Sequence, residues 1–178
     1  LKLIGKYNIL NATAAIALCL NLGLKIQIIK KALKNFSGVQ RRLTKVFKKK
    51  GIEFYDDYAH HPTEIKSVLE AVKKVVSKRK IITIFQPHRY SRIRSLKLEF
   101  ASCFKDTDQL ILCPVYAAGE SLDKKYNKIR FAKLISKFSQ TQTIIVKNEL
   151  DITKYLKKNL ISNEVIIGMG AGSISKWM

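Results

Sequence analysis

The feature that most constrains this chain is a rhythm of short apolar runs separated by amphipathic stretches, set up from about residue 43 onward. Ile81-Ile82-Thr83-Ile84-Phe85 and Val165-Ile166-Ile167 are almost wholly apolar over lengths too short for a helix, which is how strands buried on both faces read. Between such runs, apolar residues recur at helical spacing. The clearest stretch follows Pro62, a residue suited to a first helical turn, and carries Ile65, Val68, Leu69, Val72, Val75 and Val76. The pattern predicts strands at about 43–48, 52–57, 80–85, 108–113, 142–146 and 164–168, and helices at about 62–77, 92–104, 129–138, 149–160 and 172–177. Alternation of this kind implies an α/β fold, a mostly parallel sheet with helices on both faces. Lys48, Lys49 and Lys50 followed by Gly51 read as a hairpin turn, which makes the first strand antiparallel to the second.

The residues before 43 follow a different pattern. An Ala- and Leu-rich helix is expected over 8–22 and is ended by Gly23; a second is expected over 26–35, with Ile28, Ile29, Ala32 and Leu33 on one face. Asn11, Thr13 and Asn21 interrupt the first, and no run reaches the ~20 apolar residues of a membrane span. A buried helix in a cytoplasmic protein is the expectation, with no membrane partner. Cys19, Cys103 and Cys113 sit in apolar contexts without CxxC spacing, so buried free thiols are expected. The chain opens at Leu1 on what reads as mid-domain sequence, which points to a fragment.

The net charge of +21 raises a nucleic-acid partner. The pattern argues against one. Lysines outnumber arginines and spread over the polar faces of the expected helices, and aromatic residues are not interleaved with them as stacking platforms. A solvated basic surface, favourable to anionic substrates, is the simpler meaning.

Ligands of open α/β sheets bind beyond the carboxyl ends of the strands. The segments standing there are Asp56-Asp57-Tyr58-Ala59-His60-His61-Pro62, Gln86-Pro87-His88-Arg89-Tyr90-Ser91-Arg92, Pro114-Val115-Tyr116-Ala117-Ala118-Gly119-Glu120 and Gly168-Met169-Gly170-Ala171-Gly172-Ser173. They hold all three histidines of the chain. Asp56 and Asp57 can serve a ligand or merely cap the approach to a helix. Arg89 and Arg92 can both face one carboxylate or phosphate if Ser91 opens a helix. The alternative is two surface arginines in a basic protein, the class to which Arg94 is assigned. The glycine run misses the GxGxxG fingerprint and is read as a packing turn, and no GxxxxGK[ST] phosphate loop occurs. The Asp and His spacing matches no strong zinc pattern, so no metal site is expected.

These segments resemble the motifs of the Mur ligase family, in its alanine-adding branch. The resemblance rests on Asp-Asp-Tyr-Ala-His-His-Pro-Thr-Glu (56–64), Phe-Gln-Pro-His-Arg-Tyr-Ser-Arg (85–92), Val-Tyr-Ala-Ala-Gly-Glu (115–120) and Gly-Ala-Gly-Ser-Ile (170–174). Upstream, Gly5-Lys6-Tyr7-Asn8-Ile9-Leu10-Asn11 and Gly38-Val39-Gln40-Arg41-Arg42 resemble further segments of the family, with Tyr7 where His is usual.

The resemblance implies that 1–41 ends a central ATP-binding domain and that 42–178 forms a carboxy-terminal Rossmann-like ligase domain. It implies ATP-dependent joining of L-alanine to the carboxylate of UDP-N-acetylmuramate through an acyl phosphate, in peptidoglycan precursor synthesis. The chain's own upstream domains would supply the phosphate loop and the Mg2+ ligands. By the same resemblance, Asn8, Asn11, Arg42 and Asp57 would contact ATP, with Asp57 on the ribose hydroxyls and Arg42 near the γ-phosphate. Tyr58, His60, Arg89 and Arg92 would line the L-alanine site. A related ligase acting on a peptide in cell-wall recycling fits the same motifs, and a basic nucleotide- or nucleic-acid-binding domain is the reading outside the family.

Overall fold

The computed structural model describes residues 3–76 and 78–177. It divides into two compact units, Leu1–Gln40 and Arg41–Met178. The first holds helices α1 (Lys6–Asn21) and α2 (Ile26–Asn35). Contrary to the expectation of a buried helix, α1 has no buried residue; Ile9, Leu10, Leu18 and Leu20 are exposed, and Cys19 is only half-buried. A unit of two helices has too little chain to cover an apolar helix on all sides.

The second unit is a six-stranded sheet with helices on both faces. Its elements are β1 (Thr44–Lys49), β2 (Ile52–Asp57), α3 (Pro62–Val76), β3 (Ile81–Phe85), α4 (Tyr90–Ser95), α5 (Lys97–Ser102), β4 (Gln109–Leu112), α6 (Lys128–Ser139), β5 (Gln142–Ile145), α7 (Glu149–Asn159) and β6 (Val165–Met169). The order across the sheet is β1-β2-β6-β3-β4-β5, and only the β1–β2 hairpin is antiparallel. The last strand is therefore inserted between β2 and β3, pairing Asp57 and Phe85 with Met169 from its two sides. The end of the helix expected over 62–77 falls at Ser77, outside the described residues.

Strand alternation divides the core into two faces. Ile82, Ile84, Ile111 and Ile166 pack with Ile152 of α7 and Ile174 on one. On the other, Phe85 meets Phe100 of α5 and Phe104, and Phe100 meets Phe131 of α6. Buried hydroxyls there are paired: Thr83 with Thr107 at 2.8 Å, and Ser139 with the Ala101 carbonyl at 2.6 Å. Cys103 and Cys113 are buried free thiols.

Two expected helices differ from the sequence reading. The stretch 92–104 is not one helix but two, because Leu96 leaves helical geometry (φ −117°, ψ 33°). The bend lets α4 remain at the sheet edge while Phe100 and Phe104 reach full burial. The stretch 172–177 is a 3-10 turn over Ser173–Lys176, too short for an α-helix.

The glycine run is a packing turn. Gly168 belongs to β6, Gly170 has φ +151°, and a Cβ there would lie 2.8 Å from the Gln86 carbonyl oxygen. A Cβ on Gly172 would lie 2.5 Å from Gln86 Oε1 and 2.6 Å from the Tyr116 ring. At the lateral edge of the sheet, every residue of β1 is exposed, the β1–β2 ladder carries an irregularity between Lys45 and Phe47, and lysines project from it. Both features blunt edge-to-edge pairing with another chain.

Arg79 ties the amino end of the sheet together, donating to the carbonyls of Gly51, Asn163 and Glu164 and pairing with Glu53 at 3.0 Å. Burial alone would push the Glu53 carboxyl up, but hydrogen bonds from Arg79, Lys45 and Tyr55 outweigh it and hold the group at about 2, below its ordinary 4.5. A depressed folded-state value stabilises above the unfolded one and is lost as pH falls. The stability of the wild type, read from urea midpoints, should therefore drop between pH 4.5 and about 2, and Glu53→Gln should flatten that limb. An unchanged limb in the variant would refute the assignment. Gly170→Ala should lower unfolding free energy by about 2 kcal/mol, from a strained backbone and a blocked approach to Gln86. A urea midpoint equal to wild type would show that the turn tolerates a side chain.

Candidate functional site

The parallel strands β2, β6, β3 and β4 end on one edge, and the four polar segments converge there. Main-chain geometry does the gathering. Gly170 N–H donates to the Asp57 carbonyl, Gln86 N–H to Met169, and Tyr116 N–H to Pro87, while the Tyr116 carbonyl accepts from Arg89 N–H at 2.9 Å. The buried Gln86 side chain closes the set, donating to Ser173 Oγ at 3.0 Å and accepting from Ile174 N–H at 3.1 Å.

The two acidic residues at the end of β2 have different duties. Asp56 pairs with Arg41 at 3.3 Å and accepts from Ser175. Asp57 is 1% exposed, and its two carboxylate oxygens accept from the backbone amides of Leu43 and Ala59, both at 2.7 Å. Burial raises the Asp57 carboxyl, an effect the two amides oppose. In this conformation Asp57 shapes the loops on either side of it.

Arg41 is the arginine of this segment that enters the cluster. It donates to the Gly170 carbonyl at 2.6 Å and lies 4.7 Å from the centre of the Tyr58 ring, a cation–π distance. Its backbone is left-handed (φ 58°), as is that of Leu43 (φ 49°), and Arg42 between them is exposed. The sequence reading assigned Arg42 to ATP and gave Arg41 no role; the backbone turn is what aims the two adjacent arginines differently.

Four rings form a row across the edge. Tyr58 meets His60 at 5.4 Å, His60 meets His88 at 5.5 Å, and His88 stacks on Tyr116 at 5.6 Å between centroids. Tyr58, His60 and Arg92 are thus brought together: Arg92 Nη1 lies 3.3 Å from His88 Nδ1. Burial, reinforced by the charges of Arg92, His60 and Arg89, pushes the His88 pKa down. Arg89 is exposed at the start of α4, with a left-handed backbone (φ 67°).

The segment bearing the arginines is anchored by Glu120. Its carboxylate accepts from Ser91 N–H at 3.1 Å and from Ser91 Oγ, and these bonds lower the Glu120 pKa. Glu120, Gln86 and Tyr116 lay within segments marked by the sequence but were not singled out there. The signal available was only their place after a buried strand. Arg94 pairs with Asp123 at 3.2 Å on the surface, in keeping with its assignment.

Asn8 and Asn11 lie in the first unit, three residues apart on α1. Asn8 Nδ2 donates to the Ile4 carbonyl at 2.7 Å, and Asn11 is exposed. Among the described residues, no group of three or more His, Cys, Asp or Glu is placed to hold a metal ion. No helix among them is long and apolar enough to cross a membrane.

A cluster of two arginines, two tyrosines and two histidines at the carboxyl edge of a parallel sheet suits a small ligand carrying a carboxylate. Comparison with known proteins gives that geometry a context. Residues 41–172 match the family described as Mur ligase, glutamate ligase domain. The chain is 47% identical to the UDP-N-acetylmuramate–L-alanine ligase of Pelagibacter ubique, over 100% of its own length and 38% of that protein. It is 39% identical to the ligase of the same name from Bartonella tribocorum, over 99% of its length and 37% of that protein. The crystal structure of UDP-N-acetylmuramate-alanine ligase from Thermotoga maritima superposes with a TM-score of 0.80 at 31% identity, covering 99% of this chain and 37% of that one. The chain spans little more than a third of the relatives it matches, and by the match over 41–172 it belongs to the Mur ligase family through its glutamate ligase domain.

Proposed function

We propose that this chain is the carboxy-terminal part of an ATP-dependent ligase that joins L-alanine to the carboxylate of UDP-N-acetylmuramate in the cytoplasm. The observation that carries the reading is the arginine pair Arg89 and Arg92 on a segment pinned by Glu120, beside the row Tyr58–His60–His88–Tyr116. The names of the relatives support the substrate choice.

In this reading Arg89 and Arg92 hold the carboxylate of the amino acid, since guanidinium groups donate in pairs to carboxylates. Tyr58 and His60 line the side of the site nearer β2. ATP converts the sugar carboxylate to an acyl phosphate, which the amine of L-alanine attacks, and holding the two reactants together converts a bimolecular step into a local one. The first unit would be the end of the ATP-binding domain, with Asn8 and Asn11 toward the base and the exposed Arg42 toward the γ-phosphate. For Asp57 to meet the ribose hydroxyls, the loop at Leu43 that now covers its carboxylate would have to shift. By the family resemblance, the ligands of the magnesium ion would lie in upstream domains.

The test is ADP release by the full-length protein with UDP-N-acetylmuramate present and each amino acid supplied in turn. Turnover should depend on L-alanine. Arg89→Ala should raise the L-alanine KM roughly 10- to 100-fold, the loss of one charge-assisted hydrogen bond. ATP turnover indifferent to the amino acid would end the ligase reading, and a variant identical to wild type would end the carboxylate assignment alone.

A further inference from the structure

The ligase reading leaves one chemical requirement without a residue. An amino acid arrives as an ammonium ion, whose nitrogen has no lone pair, so a base must take a proton before the amine can attack. An imidazole can do this only through a ring nitrogen that carries a lone pair, and the partner of the other nitrogen decides which one that is.

The three histidines are distinguished by their partners. His60 Nδ1 lies 2.9 Å from the carbonyl oxygen of Tyr58, which can only accept, so Nδ1 carries the hydrogen and Nε2 the lone pair. Among the described residues Nε2 makes no hydrogen bond. His88 is the reverse: its Nδ1 faces the Arg92 guanidinium, which can only donate, so the lone pair is at Nδ1 and already engaged. His61 Nδ1 likewise accepts, from Thr63 N–H at 3.3 Å. Of the three, His60 alone presents a lone pair at its outer nitrogen.

His60 also has the third member that such bases use. Glu64 Oε2 lies 3.5 Å from the same Nδ1. That carboxylate is fixed by the backbone amides of His60 (3.1 Å) and His61 (3.2 Å) at the start of α3. A carboxylate oriented on the far nitrogen holds the tautomer and stabilises the imidazolium once a proton is taken. The other groups around His60 are the Tyr58 ring and His88, with Arg92 behind His88.

We propose that His60 is the general base of the ligation step. Nε2 takes one proton from the ammonium group, leaving a neutral amine and an imidazolium whose Nδ1–H faces Tyr58 and Glu64. The amine lone pair forms the new N–C bond at the acyl phosphate carbonyl. The bond from carbon to the phosphate oxygen breaks, phosphate leaves with that electron pair and takes the second amine proton, and the imidazolium returns its proton to water. This assignment rests on the ligase reading.

Hydroxylamine separates base catalysis from positioning, because it is largely unprotonated near neutral pH and traps acyl phosphates as hydroxamates without help. In the full-length protein, with ATP and UDP-N-acetylmuramate present, His60→Gln should slow L-alanine-dependent ADP release on the order of 10²- to 10⁴-fold. Its hydroxamate formation should stay within a few-fold of wild type. Glu64→Gln, which keeps an oxygen for the amides of His60 and His61, should show the same split to a smaller degree, and it serves if His60→Gln does not fold. An L-alanine rate close to wild type, or equal losses with both nucleophiles in folded variants, would overturn the assignment. A wild-type protein that yields neither hydroxamate nor L-alanine-dependent ADP would overturn the ligase reading, and the assignment with it.

Discussion

The site depends on one close approach: the backbone at Gly170 and Gly172 runs against Gln86 with no side chain between them. Gln86 reaches Ser173 and Ile174 only because that space is empty, and Tyr116 can lie over Gly172 for the same reason. Tyr116 in turn holds the Arg89 amide and stacks on His88. The loops after β2, β3, β4 and β6 are thereby locked to one another, and the polar side chains they carry share one small volume. Glycine serves here as absence of bulk, a different use from cradling a phosphate.

Charge is handled differently at the two ends of the sheet. At the amino end, Glu53 sits among Arg79, Lys45 and Lys48, a network whose work is to hold the hairpin, the end of α3 and the start of β6 together. At the carboxyl end, Arg41 is held by Asp56 and lies over the Tyr58 ring, Arg92 lies against the neutral His88 ring, and Arg89 is exposed. An arginine that faces a ring in place of a carboxylate is free to take an anion. That contrast, more than the total of +21, is what separates a scaffold edge from a binding edge.

Most of the sheet was legible in the sequence because buried parallel strands have little choice but to be apolar on both faces; Ile81–Phe85 and Val165–Met169 are buried throughout. The four segments at the strand ends were legible for the converse reason, that polar residues after such strands have to be there for something. What escaped was decided by single backbone angles and by long-range contacts. Apolar periodicity runs on through Leu96, so nothing in it announces a break. Arg41 and Arg42 are the same letter, and a left-handed residue sends them different ways. The bond from Ser91 to Glu120 joins residues 29 apart. The apolar face of α1 was read as buried because its composition is that of a core helix, and the first unit does not contain enough chain to cover it.

The strand order has a consequence for how such a chain is made. Strand β6 is the last of six to be synthesised and stands third in the sheet, with β2 on one side and β3 on the other. Until it emerges from the ribosome, β2 and β3 have no bridge between them, and each nascent half exposes an unsatisfied row of amides and carbonyls. Contacts this distant in sequence close slowly. A chain that has reached β5 but not residue 165 therefore holds β1–β2 and β3–β4–β5 as two pieces with open inner edges, and the last strand closes both at once.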